Sequence, residues 1–293
     1  MPTADARMSP RNTAAAWWSL IRGGNVLMAG AASLLGLVLA APNDIWPQSL
    51  PAVLPPMLIC AAGYIDNDIC DRAIDRHIKP ARAIVSGRVR LSAARAAAGA
   101  FTMAGVLLAS VGGWPALVAV LVVVACIAWY NRALSARPLI GNVAVAAIGA
   151  FPIIYGALHA PLIHSLSRNA VLLAALTAFW LHWGREILKD VVDVDGDRVV
   201  GRRTLPIVLS PDSATRLAGL PLLLGAVSAL WLGLGTIMAP IYLFGVCVTV
   251  IPAVLLGAAQ CALNPSTATA SRWVAGAKLS LAGGLIWMFL GAT

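Results

Sequence analysis

The sequence predicts an all-α, polytopic membrane protein of about nine transmembrane helices, and three observations lead there. Of the 293 residues, 60% are hydrophobic and only 11% are charged, where soluble domains carry roughly 25% charged residues. A water-soluble globule of that composition would expose large apolar patches and aggregate. Apolar runs recur along the chain at the length that crosses a bilayer, about 20 residues. Basic residues, finally, are concentrated in alternate loops between these runs, the pattern of proteins whose cationic loops stay in the cytoplasm.

The first apolar run, 15–41, follows a polar tail at 1–13. It is too long for a signal-peptide core and lacks a small-residue cleavage pattern, so it reads as a span. The second, 48–66, ends among acidic residues. Runs at 92–112, 114–130 and 138–160 follow, and the sixth, 169–187, again ends among acids. Runs at 212–234, 236–257 and 271–291 complete the nine. Several contain Gly and Pro, which membrane helices tolerate better than soluble ones. The runs are continuous rather than alternating, so a barrel of strands does not fit. The chain, 1–293, is expected to form a single transmembrane domain.

The formal charge of +9 follows this topology. Cations occupy the tail (Arg7, Arg11, Arg22), the second loop (Arg72 to Arg90), the fourth (Arg132, Arg137), the sixth (Arg185 to Arg203) and the eighth (Arg272). The odd-numbered loops and the C-terminus hold Arg168 alone. This pattern places the N-terminus and even loops in the cytoplasm and the C-terminus outside, in the cell (inner) membrane. It also accounts for the basic excess without a nucleic-acid partner. The five cysteines are scattered, with no zinc or disulfide spacing, and read as small packing residues. His77, His159, His164 and His182 show no ligand spacing either. Trp17, Trp18, Trp46 and Trp114 lie near segment ends, where interfacial aromatic residues collect.

Nine of the 12 acidic residues sit in two places. The first holds Asp66, Asp68, Asp71 and Asp75; the second holds Glu186, Asp190, Asp193, Asp195 and Asp197. Asp68, Asp71, Asp75 and Arg76 recur as Asp190, Asp193, Asp197 and Arg198, each pair 122 residues apart. Either an ancient duplication or two halves meeting around one site would give this repeat. Positions i, i+3 and i+7 share one helix face, and seven residues rise about 10 Å. Three carboxylates therefore line two turns, with Asn67 beside Asp71 and Asp75. A solvated helix cap is the plain alternative for either cluster alone, and Asp195 and Arg198 read as helix-end charges. Two clusters of identical spacing on one side of the membrane favour a site. Carboxylates so close repel one another and are costly beside lipid, so a cation must sit between them. With no His or Cys among them, a hard divalent ion such as Mg²⁺ fits best, because it takes oxygen ligands and bridges carboxylates to phosphates. Arg72, Lys79, Arg82, Lys189, Arg202 and Arg203 are then available for the same phosphates.

These residues resemble the UbiA superfamily of intramembrane prenyltransferases. "NDICDRAID" (67–75) matches the first motif of that family, N-D-x-x-D-x-x-x-D, and "KPARAIVSG" (79–87) resembles the K-P-x-R-P-x-x-S-G that often follows. "KDVVDVDGDRVVGRRTLP" (189–206) looks like the second motif of the branch that includes archaeal lipid and homogentisate-type prenyltransferases. "YNRALSARPLIGNVAVA" (130–146) is similar to the Tyr-rich loop and P-x-x-G-N element of that branch, and "IRGGN" (21–25) to the early R-P-x-N. Gly23 and Ala83 stand where proline is usual, and Ser135 where many relatives carry lysine, a contact that Arg132 or Arg137 could supply.

The resemblance implies helices around a central cavity, with a cytoplasmic-side active site. There an allylic prenyl diphosphate would ionise with Mg²⁺, and the prenyl group would pass to a small-molecule or lipid acceptor. Asn67, Asp71, Asp193 and Asp197 would coordinate metal, with Asp68, Asp75 and Asp190 as further candidates. Arg72, Lys79, Arg82, Lys189 and Arg203 would hold the diphosphate, and Asp71, Asp193 and Tyr130 would carry the chemistry. Arg22 and Asn25 would face the acceptor, while Trp180 and Trp183 would line the prenyl pocket. A glycerol phosphate lipid and an aromatic acid or quinone precursor are both open as acceptors. Cyclisation of the prenyl diphosphate without an acceptor is a further alternative. So is an anion transporter, although transporters place such charges near the bilayer midplane on broken helices, whereas these end helices.

Overall fold

The computed structural model describes residues 10–41, 48–160 and 165–292; Arg7, Trp46 and His164 lie outside them. Among the described residues, nine helical stretches are long and apolar enough to cross a membrane. A short helix α1 (Pro10–Leu20) precedes the spans α2 (Gly23–Ala40) and α3 (Ser49–Cys70). Then come a short α4 (Arg72–Ile78) and the spans α5 (Leu91–Val111), α6 (Trp114–Trp129), α7 (Ile140–Ala157) and α8 (Ser165–Val199). A single turn α9 (Leu205–Val208) leads to α10 (Pro211–Gly235). The eighth span joins α11 (Pro240–Gly245) to α12 (Ile251–Leu263), and α13 (Thr267–Ala292) is the ninth.

Neighbouring spans pack in a ring: α2 on α3, α3 on α6, and α6 on α7; α8, α10, α12 and α13 follow, and α13 returns to α2, while α2 also packs on α7 and α13 on α8. α5 packs outside the ring, against α3 and α6. Small residues set the closest crossing. A Cβ on Gly36 of α2 would collide with the Ile153 carbonyl of α7, and one on Gly156 with the Ser33 carbonyl. Backbone approach of this kind holds membrane helices together where lipid offers no hydrophobic drive. The Ser33 hydroxyl donates to the Ala52 carbonyl at 2.7 Å and ties α2 to α3 as well.

Four boundaries differ from the sequence expectation, each for a physical reason. The run expected at 15–41 is two helices, because Arg22 adopts a left-handed conformation (φ 52°, ψ 57°) ahead of two glycines that support helix poorly; α1 also takes in part of the expected polar tail. The two turns expected to carry the first cluster are interrupted at Asp71 (φ −82°, ψ 2°), between α3 and α4. Conversely, α8 does not stop at residue 187 but runs for 35 residues. That is about 52 Å, well beyond a hydrocarbon core of about 30 Å, so the second cluster lies on a helix emerging from the membrane rather than in a loop. The eighth span, finally, contains a π-helical turn, Val246–Val250. Its wider bore accommodates Pro252, which has no N–H and would clash with the carbonyl four residues back.

Candidate active site

The ring encloses a chamber of about 480 Å³. Its wall is apolar along the spans, where Val120, Val123, Ile148, Phe151 and Leu285 line it. At the end where α3 and α8 finish, the wall is crowded with charge. Alternation of the spans puts both acidic clusters at that one end of the ring.

The first cluster is organised around the break at Asp71. Asp68 is buried, held by Arg22 at 3.3 Å and by Arg82. Arg22 also donates to Asn67 Oδ1 at 3.3 Å and lies 4.2 Å above the Tyr64 ring, whose hydroxyl accepts from Asn25 at 2.8 Å. The strained backbone of Arg22 is therefore what turns its guanidinium back onto α3. Asn67 donates to Asp71 Oδ2 at 3.2 Å. Asp75 is buried one turn further on, and among the described residues its Oδ2 has no hydrogen-bond partner, with Arg82 Nε at 3.8 Å. Burial pushes the Asp75 carboxyl above the usual carboxylate range, with Arg82 pulling the other way. The following loop is anchored by Ala83, Ile84 and Val89, which pack with Leu20, Ile65 and Ala94. That anchoring brings Lys79 and Arg82 back over the cluster.

The second cluster faces the first from α8. Asp190 accepts from Asn142 at 2.7 Å, and Asp197 accepts from the Thr204 hydroxyl at 3.0 Å. Glu186 holds Lys189 at 2.8 Å and Arg185 at 2.5 Å. Two ion pairs join the clusters. Lys79 from the first reaches Asp193 at 2.9 Å, and Arg202 from the second reaches Asp71 at 3.0 Å, with its other nitrogen 3.9 Å from Asp197.

The sequence candidates divide into those the chamber gathers and those it does not. Arg22, Asn25, Asn67, Asp71, Asp75, Lys79, Arg82, Tyr130, Lys189, Asp190, Asp193 and Asp197 line it. Asp68 stands behind this lining, reached through Arg22 and Arg82. Arg72 lines a separate shallow cleft with Ile69, Arg76 and Arg95, and Arg203 is absent from the chamber wall. Trp180 and Trp183 stack on each other, centroids 5.5 Å apart, beside Phe179, and are also outside the wall. Arg132 is held away by Asp66 at 3.0 Å, and the cation that meets Ser135 is Arg202, at 3.2 Å. Asp195 and Arg198 form an exposed pair at 3.4 Å. Asn142, Glu186, Thr204 and Tyr64 carry the polar network without having been assigned roles from the sequence. Asn142 sits in the quoted P-x-x-G-N element and Thr204 in T-L-P, so both were visible as motif members.

Among the described residues, no three carboxylate, histidine or cysteine groups converge closely enough to hold one metal ion. Lys79 and Arg202 lie among the carboxylates instead. The donor set nonetheless suits Mg²⁺, which needs only one or two carboxylates when phosphates and waters complete its shell. The unpartnered, buried Asp75 Oδ2 is an oxygen of that kind.

Fold and chamber together define a polytopic membrane protein with a cavity apolar along its length and densely charged at one end. The UbiA prenyltransferase family matches residues 26–284, and the chain belongs to that family, as a prenyltransferase. It is 35% identical over 224 residues to a digeranylgeranylglyceryl phosphate synthase of Methanoculleus marisnigri, covering 76% of this chain and 78% of the relative. It is 30% identical to the synthase of Saccharolobus solfataricus over 281 residues, covering 94% and 96%. In fold it is similar to a solved structure of a digeranylgeranylglyceryl phosphate synthase, with TM-score 0.77 and 23% identity over 96% of this chain and 98% of that one. A UbiA homologue from Archaeoglobus fulgidus, bound to GPP and Mg²⁺, superposes with TM-score 0.65 and 16% identity over 94% and 99%. The transport alternative gives way to this membership.

Proposed function

We propose that the protein transfers a prenyl group from an allylic prenyl diphosphate to a hydroxyl of a glycerophosphate-type lipid. The observation that carries this reading is the pair of salt bridges, Lys79–Asp193 and Arg202–Asp71, that joins two acid-bearing helices at the polar end of an otherwise apolar chamber. A diphosphate head fits that end and a hydrocarbon tail fits the rest. The names of the relatives support the glycerophosphate acceptor. The GPP and DMAPP complexes with Mg²⁺ among the structural neighbours support the donor and the ion.

Asn67, Asp71, Asp193 and Asp197, with Asp75 and Asp190 beside them, are the oxygens that would hold Mg²⁺. The ion supplies positive charge against the leaving diphosphate. Lys79, Arg82, Lys189 and Arg202 are already placed by their carboxylate partners and would turn onto phosphate oxygens. Once turned onto the diphosphate, they stabilise the negative charge that develops on it. As the C1–oxygen bond to diphosphate breaks, the acceptor oxygen bonds to C1 and its hydroxyl proton is lost, which gives an ether and free diphosphate. Tyr130, on the chamber wall beside this end, would present its ring to the allylic carbon as positive charge develops there. The basic loops support a position for this end at the cytoplasmic face of the cell membrane.

The test is mass spectrometry of products from purified protein given geranyl to geranylgeranyl diphosphate, with or without Mg²⁺. The acceptors are a monoprenyl glyceryl phosphate, an aromatic acid, or none. A Mg²⁺-dependent ether heavier by one prenyl unit is expected with the glyceryl phosphate. Prenylation of the aromatic acid alone, or a cyclised hydrocarbon without any acceptor, would overturn the assignment.

A further inference from the structure

Among the described residues, one cation of the chamber has no side-chain partner. Arg22, Lys79, Arg82, Arg185, Lys189 and Arg202 line it and are each ion-paired with an Asp or Glu. Lys278 also lines it, from α13, and makes neither a hydrogen bond nor an ion pair among the described residues. No carboxylate lies near it along the chain, which contains no acidic residue after Asp212.

Lys278 is exposed and stands at the flank of the chamber-lining stripe of α13. Leu281, Leu285 and Met288, at i+3, i+7 and i+10 from Lys278, all line the chamber. The outward face of α13 carries the exposed Leu279, Ile286 and Leu290 instead. Lys278 therefore stands beside the start of the inner stripe, at the rim of the chamber on the α13 side. It lies six residues beyond Arg272, about 9 Å of helix, within reach of an amphiphile whose head sits at the membrane surface. An ionisable side chain lining an intramembrane chamber marks a ligand or ion path by default.

An anionic acceptor needs a cation apart from those that hold the donor. Arg22, the residue expected to face the acceptor, is committed to Asn67, Asp68 and the Tyr64 ring. We propose that Lys278, on the helix that packs against α8, binds the phosphate monoester of the acceptor lipid and leaves the ion-paired cations to the donor diphosphate. This assignment rests on the glycerophosphate reading above.

The experiment compares wild type, Lys278→Met and Lys278→Arg, full length in neutral detergent. The donor is geranylgeranyl diphosphate, and the acceptor is either geranylgeranylglyceryl phosphate or its dephosphorylated alcohol. For Lys278→Met, the KM of the phosphorylated acceptor should rise at least tenfold, while kcat and the donor KM stay within twofold. Lys278→Arg should recover most of that loss, and the alcohol should not distinguish the three proteins. Melting temperatures within a few degrees of wild type exclude a folding defect. An acceptor KM within twofold of wild type overturns the proposal, as does a matching rise in the donor KM. A defect seen only in anionic-lipid vesicles also overturns it, since that would make the ligand a bilayer headgroup. If wild type does not use the glyceryl phosphate at all, the acceptor reading itself fails; if it does and Lys278→Met matches it, this inference fails alone.

Discussion

Asp71 and Asp193 illustrate how the polar end of the chamber is held before any substrate arrives. Each carboxylate is answered by a cation from the opposite cluster, Arg202 or Lys79, at 3.0 and 2.9 Å. Removing one acid would leave its cation unpaired and take an oxygen from the metal shell. Asp71→Ala and Asp193→Ala are expected to lower kcat by at least about a hundredfold, with little change in the melting temperature; turnover within tenfold of wild type would remove that residue from the shell. Asn142 acts through Asp190, which it orients at 2.7 Å. Loss of such a supporting hydrogen bond costs about 10–100-fold in metal affinity. Asn142→Ala should therefore shift the Mg²⁺ titration of activity by that factor, with the rate largely recovered at saturating Mg²⁺. A lower rate with an unchanged Mg²⁺ midpoint would separate Asn142 from the metal. At this scale the motif spelling made most acids legible. The pairing of Arg202 with Ser135 and Asp71 was not, because it joins residues 67 and 131 positions apart.

Single helices show where local sequence suffices and where it does not. The apolar runs located every span, since length and hydropathy alone decide whether a helix can cross lipid. Helix ends were less legible. α8 continues past its apolar part because the helix satisfies its own backbone hydrogen bonds in water as well as in lipid, so the fall in hydropathy at Arg185 marks the end of the apolar part and not the helix end. The crossing of α2 and α7 depends on Gly36 and Gly156, whose missing side chains let the two backbones meet. Gly156→Val should force them apart and destabilise the fold by about 1–3 kcal/mol, read as a lower melting temperature in detergent. Gly24, which has nothing within 4 Å of a Cβ, is the control, and Gly24→Ala should leave the melting temperature unchanged. Equal effects at both positions would mean that the crossing is not the tight contact.

For the whole molecule, the ring puts both acidic clusters at one end, and the basic loops predict that this end faces the cytoplasm. Cys70 ends α3 there and is exposed. A variant keeping Cys70 as its single cysteine should react with a membrane-impermeant maleimide in inside-out vesicles and stay unlabelled in intact cells; the reverse pattern would invert the topology. The sequence by itself determined the membrane class, the nine spans and the two repeated acid motifs, because composition, run length and i, i+3, i+7 spacing are properties of a continuous stretch of chain. Only the tertiary structure decided which charges meet across the chamber, that Trp180 and Trp183 stay outside its wall, and that Lys278 stands there unpaired among the described residues. Those facts depend on distances between helices far apart in sequence, and no local pattern of residues encodes such distances.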